Sequence, residues 1–365
     1  MPKCNALQNL CYTDIDLHHG PCCKFNGKLS PVFNIKDVTF SDYKNSKFFK
    51  ELKEQMETGW APGCHQCEDD EKNGIASLRE TYNKTFSGNQ NDVECIEISF
   101  SNECNLTCKM CDSRHSSKWA SVYEKNPIEE LKFDGQVAKQ NSLKIADLFD
   151  GVDLSKLKQI KYMGGETFIT QEIYDLIDFL EEKDICQHIS FKSYTNATFF
   201  PKKLIDKLKK FKTLELGLSI DAINDTFDFI RPGFEWKRVL PVIDQWIEAR
   251  DQFSNFKIYI HHTAQAYNLH HFDEVKDFAK TKNLYFHYSI LHYPEYLSYS
   301  ALPKEYIQEL VDNDKLTDEK LISSALGSTF NKDWFEKLKI ITKKTYQVLN
   351  TDVNKVIPDL AKHLR

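Results

Sequence analysis

VECIEISFSNECNLTCKMCDSR, residues 93–114, joins two patterns. Its first nine residues read as a β-strand, so the cysteines that follow, Cys104, Cys108 and Cys111, form a loop at the C-terminal end of that strand. A closed structural zinc or iron site ordinarily takes four protein ligands, often as paired C-x-x-C units. Three thiolates on a four-iron cluster leave one iron without a protein ligand. A substrate or cofactor can bind there, much as an open position separates catalytic from structural zinc.

Five further β-rich runs follow: QIKYMGG (159–165), HISFKSYTN (188–196), LELGLSID (214–221), FKIYIHHTA (256–264) and LYFHYSIL (284–291). Between them lie amphipathic stretches in which Ile173, Leu176, Ile177 and Leu180 share a face, as do Leu240, Ile243 and Ile247, and Phe272, Val275 and Ala279. Alternation of this kind demands parallel strands joined by crossover helices, with the ligand site at the C-terminal strand ends. The fold expected is α/β, a partial (β/α)6 TIM-like barrel over residues 93–300. A loop-rich, cysteine-rich metal-binding segment (1–92) precedes it, and a C-terminal helical extension (301–365) follows. The first boundary is placed at QNDVE (90–94).

The 365 residues are 41% hydrophobic and 28% charged, a folded balance, and 48 basic against 54 acidic residues argue against a surface built to hold nucleic acid. No apolar run approaches membrane-spanning length and the N-terminus lacks a signal-peptide core, so a soluble, cytoplasmic protein without membrane association is expected. Eleven cysteines in a long chain with no export signal favour metal ligation over disulfides. Ten of them precede residue 112, and only Cys186 lies beyond.

The run NECNLTCKMC (102–111) closely resembles the cluster loop of radical S-adenosylmethionine (radical SAM) enzymes, especially the branch with extra iron–sulfur clusters in SPASM or twitch domains. YMGGE (162–166) is similar to that family's GGE motif, YTNAT (194–198) to its TNG and LSIDA (218–222) to its SLDG, while Arg231 in DFIRPG matches an arginine that reaches the cofactor. The resemblance implies a 4Fe-4S cluster on Cys104, Cys108 and Cys111 whose unique iron chelates S-adenosylmethionine. It further implies that Gly164, Gly165, Glu166, Asn196 and Ser219 line the cofactor cleft, and that Arg231 faces the cofactor's charged groups. Met110, Ala197 and Ala222 depart from the family pattern. Taken singly, the trio also suits a zinc site completed by His115 or Cys95, Glu166 a helix N-terminal charge, and Arg231 a surface salt bridge.

CNALQNLCYTDIDLHHGPCC (4–23) and GCHQC (63–67) need a separate explanation. A four-thiolate site is expected on Cys64 and Cys67 with Cys4 and Cys22; Cys23 is an alternative to Cys22, and Cys11 to Cys4. The arrangement is similar to the twitch module, which implies a second Fe-S cluster, with zinc as the alternative metal. Cys95 and Cys186 read as buried apolar residues. Of the paired histidines, His261 or His262 should face into the barrel, and Tyr194, Tyr259 and Tyr288 have similar claims. The resemblance implies reductive cleavage of S-adenosylmethionine to a 5′-deoxyadenosyl radical that abstracts hydrogen from a substrate, here a peptide or protein side chain. An electron donor such as flavodoxin or ferredoxin would serve it. No leader-peptide recognition domain is expected, because residues 1–92 are committed to the metal site. The alternative is a non-catalytic interaction protein with structural zinc sites.

Overall fold

The computed structural model describes residues 2–72, 74, 76–89, 92–131 and 144–365, so Gln90 and Asn91 of the expected boundary lie outside the described residues. Eight strands are present: β1 (Leu10–Thr13), β2 (His19–Gly20), β3 (Cys95–Ser99), β4 (Gln159–Met163), β5 (Ser190–Thr195), β6 (Thr213–Ser219), β7 (Phe256–Ala264) and β8 (Tyr285–Ile290). They form one sheet in the order β2-β1-β3-β4-β5-β6-β7-β8. β2 is antiparallel to β1, whereas β1–β3, β3–β4, β4–β5 and β7–β8 are parallel. The α/β class and the unclosed, partial-barrel sheet agree with the expectation, and the six strands read from the sequence are β3 to β8. Among the described residues no helix is long and apolar enough to cross a membrane.

The loop-rich character expected of residues 1–92 is corrected. This segment supplies β1 and β2 and five helices, of which Lys47–Thr58 is the longest. Ser46 caps that helix by accepting from the Phe49 amide, and Phe49, Leu52 and Met56 bury one face. The helix Trp236–Gln252 buries Trp236, Val239, Ile243, Trp246 and Ala249. Its buried stripe is therefore rotated from the expected one, because two large tryptophans compete with Leu240 and Ile247 for the interior. The stripes at Ile173, Leu176, Ile177 and Leu180, and at Phe272, Val275 and Ala279, are buried as read.

The chain divides into two compact units. The first comprises Met1–Asn102, Ala138–Ser193 and Lys202–Glu215. Within it, Ala6, Leu10, Tyr82, Phe86 and Cys95 make a core against which Cys4, Tyr12, Cys22 and Leu78 pack. A polar row crosses the sheet by register, Tyr12 beside Glu97, Glu97 beside Lys161 and Lys161 beside Lys192. Glu97 is wholly buried and accepts from Tyr82 Oη (2.8 Å) and Lys161 Nζ (3.1 Å), so its charge is paired rather than stranded.

The second unit comprises Glu103–Val137, Tyr194–Pro201 and Leu216–Arg365. Here β7 alternates a buried face (Phe256, Ile258, Ile260, His262, Ala264) with a more open one (Tyr259, His261, Thr263). The helices Lys304–Asp312, Glu319–Gly327 and Lys332–Leu349 belong to this unit.

Candidate functional site

The cysteine loop is held from both sides by hydrogen bonds within the second unit. On one side Ser116 caps the helix Ser117–Lys125 and donates to the Leu106 carbonyl (2.7 Å), Trp119 Nε1 donates to the Cys108 carbonyl (2.8 Å), and Ser117 Oγ accepts from the Cys104 amide (3.1 Å). On the other, the amides of Thr107 and Lys109 donate to the carbonyls of Pro232 (2.8 Å) and Ile230 (2.9 Å). Gly233 takes φ +118°, and a Cβ there would stand 2.9 Å from the Asn105 carbonyl oxygen, so glycine is required at this crossing. The loop's backbone is thereby tied on both sides while the thiols stay uncommitted to disulfides. Burial pushes the Cys108 thiol up, and Arg231 draws it partly back. Cys111 is pushed well above the ordinary range by burial and by its neighbours Cys108, Asp112 and Cys104.

Charge around the loop is organised by Arg231, which the motifs point to, together with Asp221 and Lys109, to which they assign no role. Arg231 Nε and Nη2 donate to Asp221 Oδ2 (2.8 and 2.5 Å), and Arg231 Nη1 lies 3.6 Å from Cys108 Sγ. Asp221 is wholly buried; its other oxygen accepts from the Thr263 amide (2.7 Å), and its carbonyl accepts from Asn268 (3.0 Å). Lys109 is also buried, its ammonium donating to Thr345 and Thr351 (3.2 and 2.8 Å) and lying 4.4 Å from the Phe229 ring centroid. Burial lowers this lysine to about 7. The signal in the sequence was faint: a charged residue inside an otherwise apolar strand end, and a lysine between two cysteines.

Asn196 is brought to the cysteine loop. Its Nδ2 donates to Asn105 Oδ1 (3.0 Å), Asn105 Nδ2 donates to Thr198 Oγ1 (2.8 Å), and the Thr198 hydroxyl donates back to Asn196 Oδ1 (2.7 Å). Ala197, between them, has φ 58°, the left-handed conformation that a glycine would adopt freely. Ser219 ends β6, two residues beyond Gly217 on the same face. In the first unit, the Gly165 amide donates to the Ser101 carbonyl (2.8 Å), and a Cβ on Gly164 would stand 2.8 Å from that same oxygen. Glu166 is buried and accepts from the Phe168 amide (3.4 Å) at the start of the short 3-10 helix Thr167–Ile169.

Cys4, Cys22, Cys64 and Cys67 line one cavity, with Phe25, Met56, Trp60 and Tyr82 among its apolar walls. Cys64 ends the short 3-10 helix Pro62–Cys64 and Cys67 lies in the first turn of His65–Lys72, three residues on, so the two share a face. Gly63 lets the Phe25 ring seat on the backbone, where a Cβ would stand 2.1 Å from Phe25 Cε2. The amides of Ala6 and Leu7 face the Cys4 sulfur, those of Arg79 and Leu78 face Cys67, and that of Lys24 faces Cys22. Burial nonetheless raises all four thiols, Cys64 to about 12. Cys23 turns instead to Glu97, and Cys11 is buried near Lys44.

His262 is wholly buried among Phe272 and Phe286 and donates through Nδ1 to the Ile220 carbonyl (3.2 Å). His261 takes the other face with Tyr194, Tyr259 and His287, its Nε2 3.3 Å from Ser289 Oγ. Tyr288 packs on Phe272 and reaches Asp318. Among the described residues, the ligating side chains gathered within 4.8 Å of one another are Asp14, Asp16 and His18, not either cysteine group. An iron–sulfur cluster is held by soft thiolate donors. Buried soft donors with amides aimed at their sulfurs fit such a group.

A family model described as the Radical SAM superfamily matches residues 98–281. Similar solved structures include anSMEcpe with bound AdoMet and a peptide, at TM-score 0.40 and 16% identity over 65% of this chain and 67% of that one. Streptococcus suis SuiB bound to S-adenosylmethionine gives TM-score 0.37 and 15% identity over 79% and 53%. SuiB bound to precursor peptide SuiA gives 0.41 and 14% over 85% and 60%. No curated protein matches the chain.

Proposed function

The chain belongs to the Radical SAM superfamily of enzymes, and from that premise we propose that Cys104, Cys108 and Cys111 hold a 4Fe-4S cluster open at one iron to S-adenosylmethionine. When bound, that cluster supplies the electron that cleaves the sulfonium to a 5′-deoxyadenosyl radical, which takes a hydrogen atom from substrate. The observation that carries the reading is the cysteine loop itself: its backbone is tied to Ser116, Trp119, Ile230 and Pro232, and its three thiols are in no disulfide. Gly164, Gly165, Glu166, Asn196, Ser219 and Arg231 are proposed to line the cofactor cleft. Residues 93–300 are read as the catalytic barrel, 1–92 as a twitch-like auxiliary segment and 301–365 as an extension.

Cys4, Cys22, Cys64 and Cys67 are proposed to bind a second Fe-S cluster that anchors substrate or passes an electron, since four thiols around an apolar cavity with amides facing three of them suit that group. A peptide or protein side chain is the substrate class proposed, and flavodoxin or ferredoxin the donor. The protein's own task is to orient cofactor and substrate and to exclude water.

Anaerobic reconstitution with iron and sulfide tests this. A brown protein that releases 5′-deoxyadenosine on reduction with S-adenosylmethionine supports the enzyme. A colourless protein holding only zinc supports the structural-zinc reading instead.

A further inference from the structure

The family resemblance sends Arg231 to the cofactor, yet its guanidinium is already engaged. Two of its nitrogens fork onto one oxygen of Asp221, and the third points at Cys108 Sγ from 3.6 Å. Asp221 cannot drift, because the Thr263 amide grips its other oxygen and Asn268 its carbonyl. Arg231 and Asp221 are both buried, at 8% and 0% exposure, so little solvent screens them. The Ile230 and Pro232 carbonyls on either side of Arg231 accept from Lys109 and Thr107 on either side of Cys108, so backbone and side chain fix the same register.

We propose that Arg231 and Asp221 form a fixed charge pair whose positive end sets the reduction potential of the centre bound through Cys108; this rests on the cluster assignment above. An arginine stays charged at any working pH, and a cation or N–H donor at a ligating sulfur favours the more negative, reduced state. Asp221 counters part of that field while holding the guanidinium in place. Reduction takes one electron from an external donor and neither makes nor breaks a bond in this pair. Arg231 is thus a positioning residue acting through Cys108.

The test is a redox titration of the anaerobically reconstituted full chain with dithionite, followed by electron paramagnetic resonance. The signal that responds to added S-adenosylmethionine reports on the trio. Asp221→Asn keeps the cation and removes its counter-charge, so the reduced-to-oxidised ratio at a fixed potential should rise about tenfold, equivalent to about 59 mV for a one-electron couple. Arg231→Met should lower it by a similar factor. If Arg231→Met loses iron because Asp221 is left unpaired, the double variant Asp221→Asn with Arg231→Met removes both charges and should still titrate lower than wild type. Opposite shifts support the pair. Shifts in one direction, unchanged potentials, or loss of iron from every variant would overturn it and leave a packing role. A wild-type protein that holds no reducible cluster would instead defeat the cluster assignment.

Discussion

Cys104, Cys108 and Cys111 come from eight consecutive residues, whereas Cys4, Cys22, Cys64 and Cys67 come from three separate segments. The trio's loop is held in shape by protein bonds to Ser116, Trp119, Ile230 and Pro232, and charged partners stand beside it. The quartet's walls are apolar, and short helices meet around its cavity. The contrast teaches a division of labour. The trio's loop is held by protein hydrogen bonds alone, and in the proposed assignment it leaves a coordination position over. In the proposed assignment the quartet would supply a complete donor set, so a metal there would also act as a staple.

The sharpest way to break this division is to remove one ligand from each group. Cys108→Ala should reduce 5′-deoxyadenosine formation by about a thousandfold or to background, a barrier change of roughly 4 kcal/mol, while Cys64→Ala should keep uncoupled cleavage and lose product. Equal losses in a chromatographic assay of 5′-deoxyadenosine would erase the distinction.

Chelation offers the next contrast. Stripping metal from the quartet should cost the first unit about 4 kcal/mol or more, a fall of roughly 8–16 °C in its calorimetric transition. The transition of the second unit should move less, because its loop is hydrogen-bonded without metal.

Acid should separate the units the other way. Burial lowers His262 to about 4, so the folded second unit favours the neutral ring. Its contribution is fully present above the ordinary histidine value of about 6.5 and is lost as pH falls from there to about 4, on the order of 3 kcal/mol. Urea titrations across that range should show the second unit weakening, and His262→Gln should flatten the decline. The smallest effect concerns Ala197, whose left-handed backbone strains a Cβ. Ala197→Gly should stabilise the second unit by up to about 1 kcal/mol in the same titrations, the relief being partly offset by unfolded-chain entropy.

What could be read without coordinates was what is local. Six strands showed themselves because β3 to β8 alternate with helices whose apolar spacing is regular, and the cysteine loop lies within one turn of chain. β1 and β2 escaped because four and two residues carry no period; the place of β1 follows only from pairing with Cys95 to Ile98, and that of β2 from pairing with β1. Ser46 with Phe49, Leu52 and Met56 carries a legible helix signal, a cap followed by apolar residues at helical spacing. Asp221 and Arg231 sit ten residues apart, and no spacing rule joins a strand-end carboxylate to an arginine after a helix; burial alone makes them partners. The sequence offered Cys4, Cys22, Cys64 and Cys67 as candidates, and these line one cavity, but the separation of Cys22 from Cys23 depends on which way two adjacent side chains turn, one to the cavity and one to Glu97.

The most direct measurement is the electron paramagnetic resonance spectrum of reduced, reconstituted Cys64→Ala protein with and without S-adenosylmethionine. A cluster on Cys104, Cys108 and Cys111 with one iron open should give a signal that changes shape when S-adenosylmethionine binds and vanishes in a Cys64→Ala, Cys108→Ala protein. Spectra that are identical with and without it, or a signal that survives loss of Cys108, would contradict an open iron at this loop.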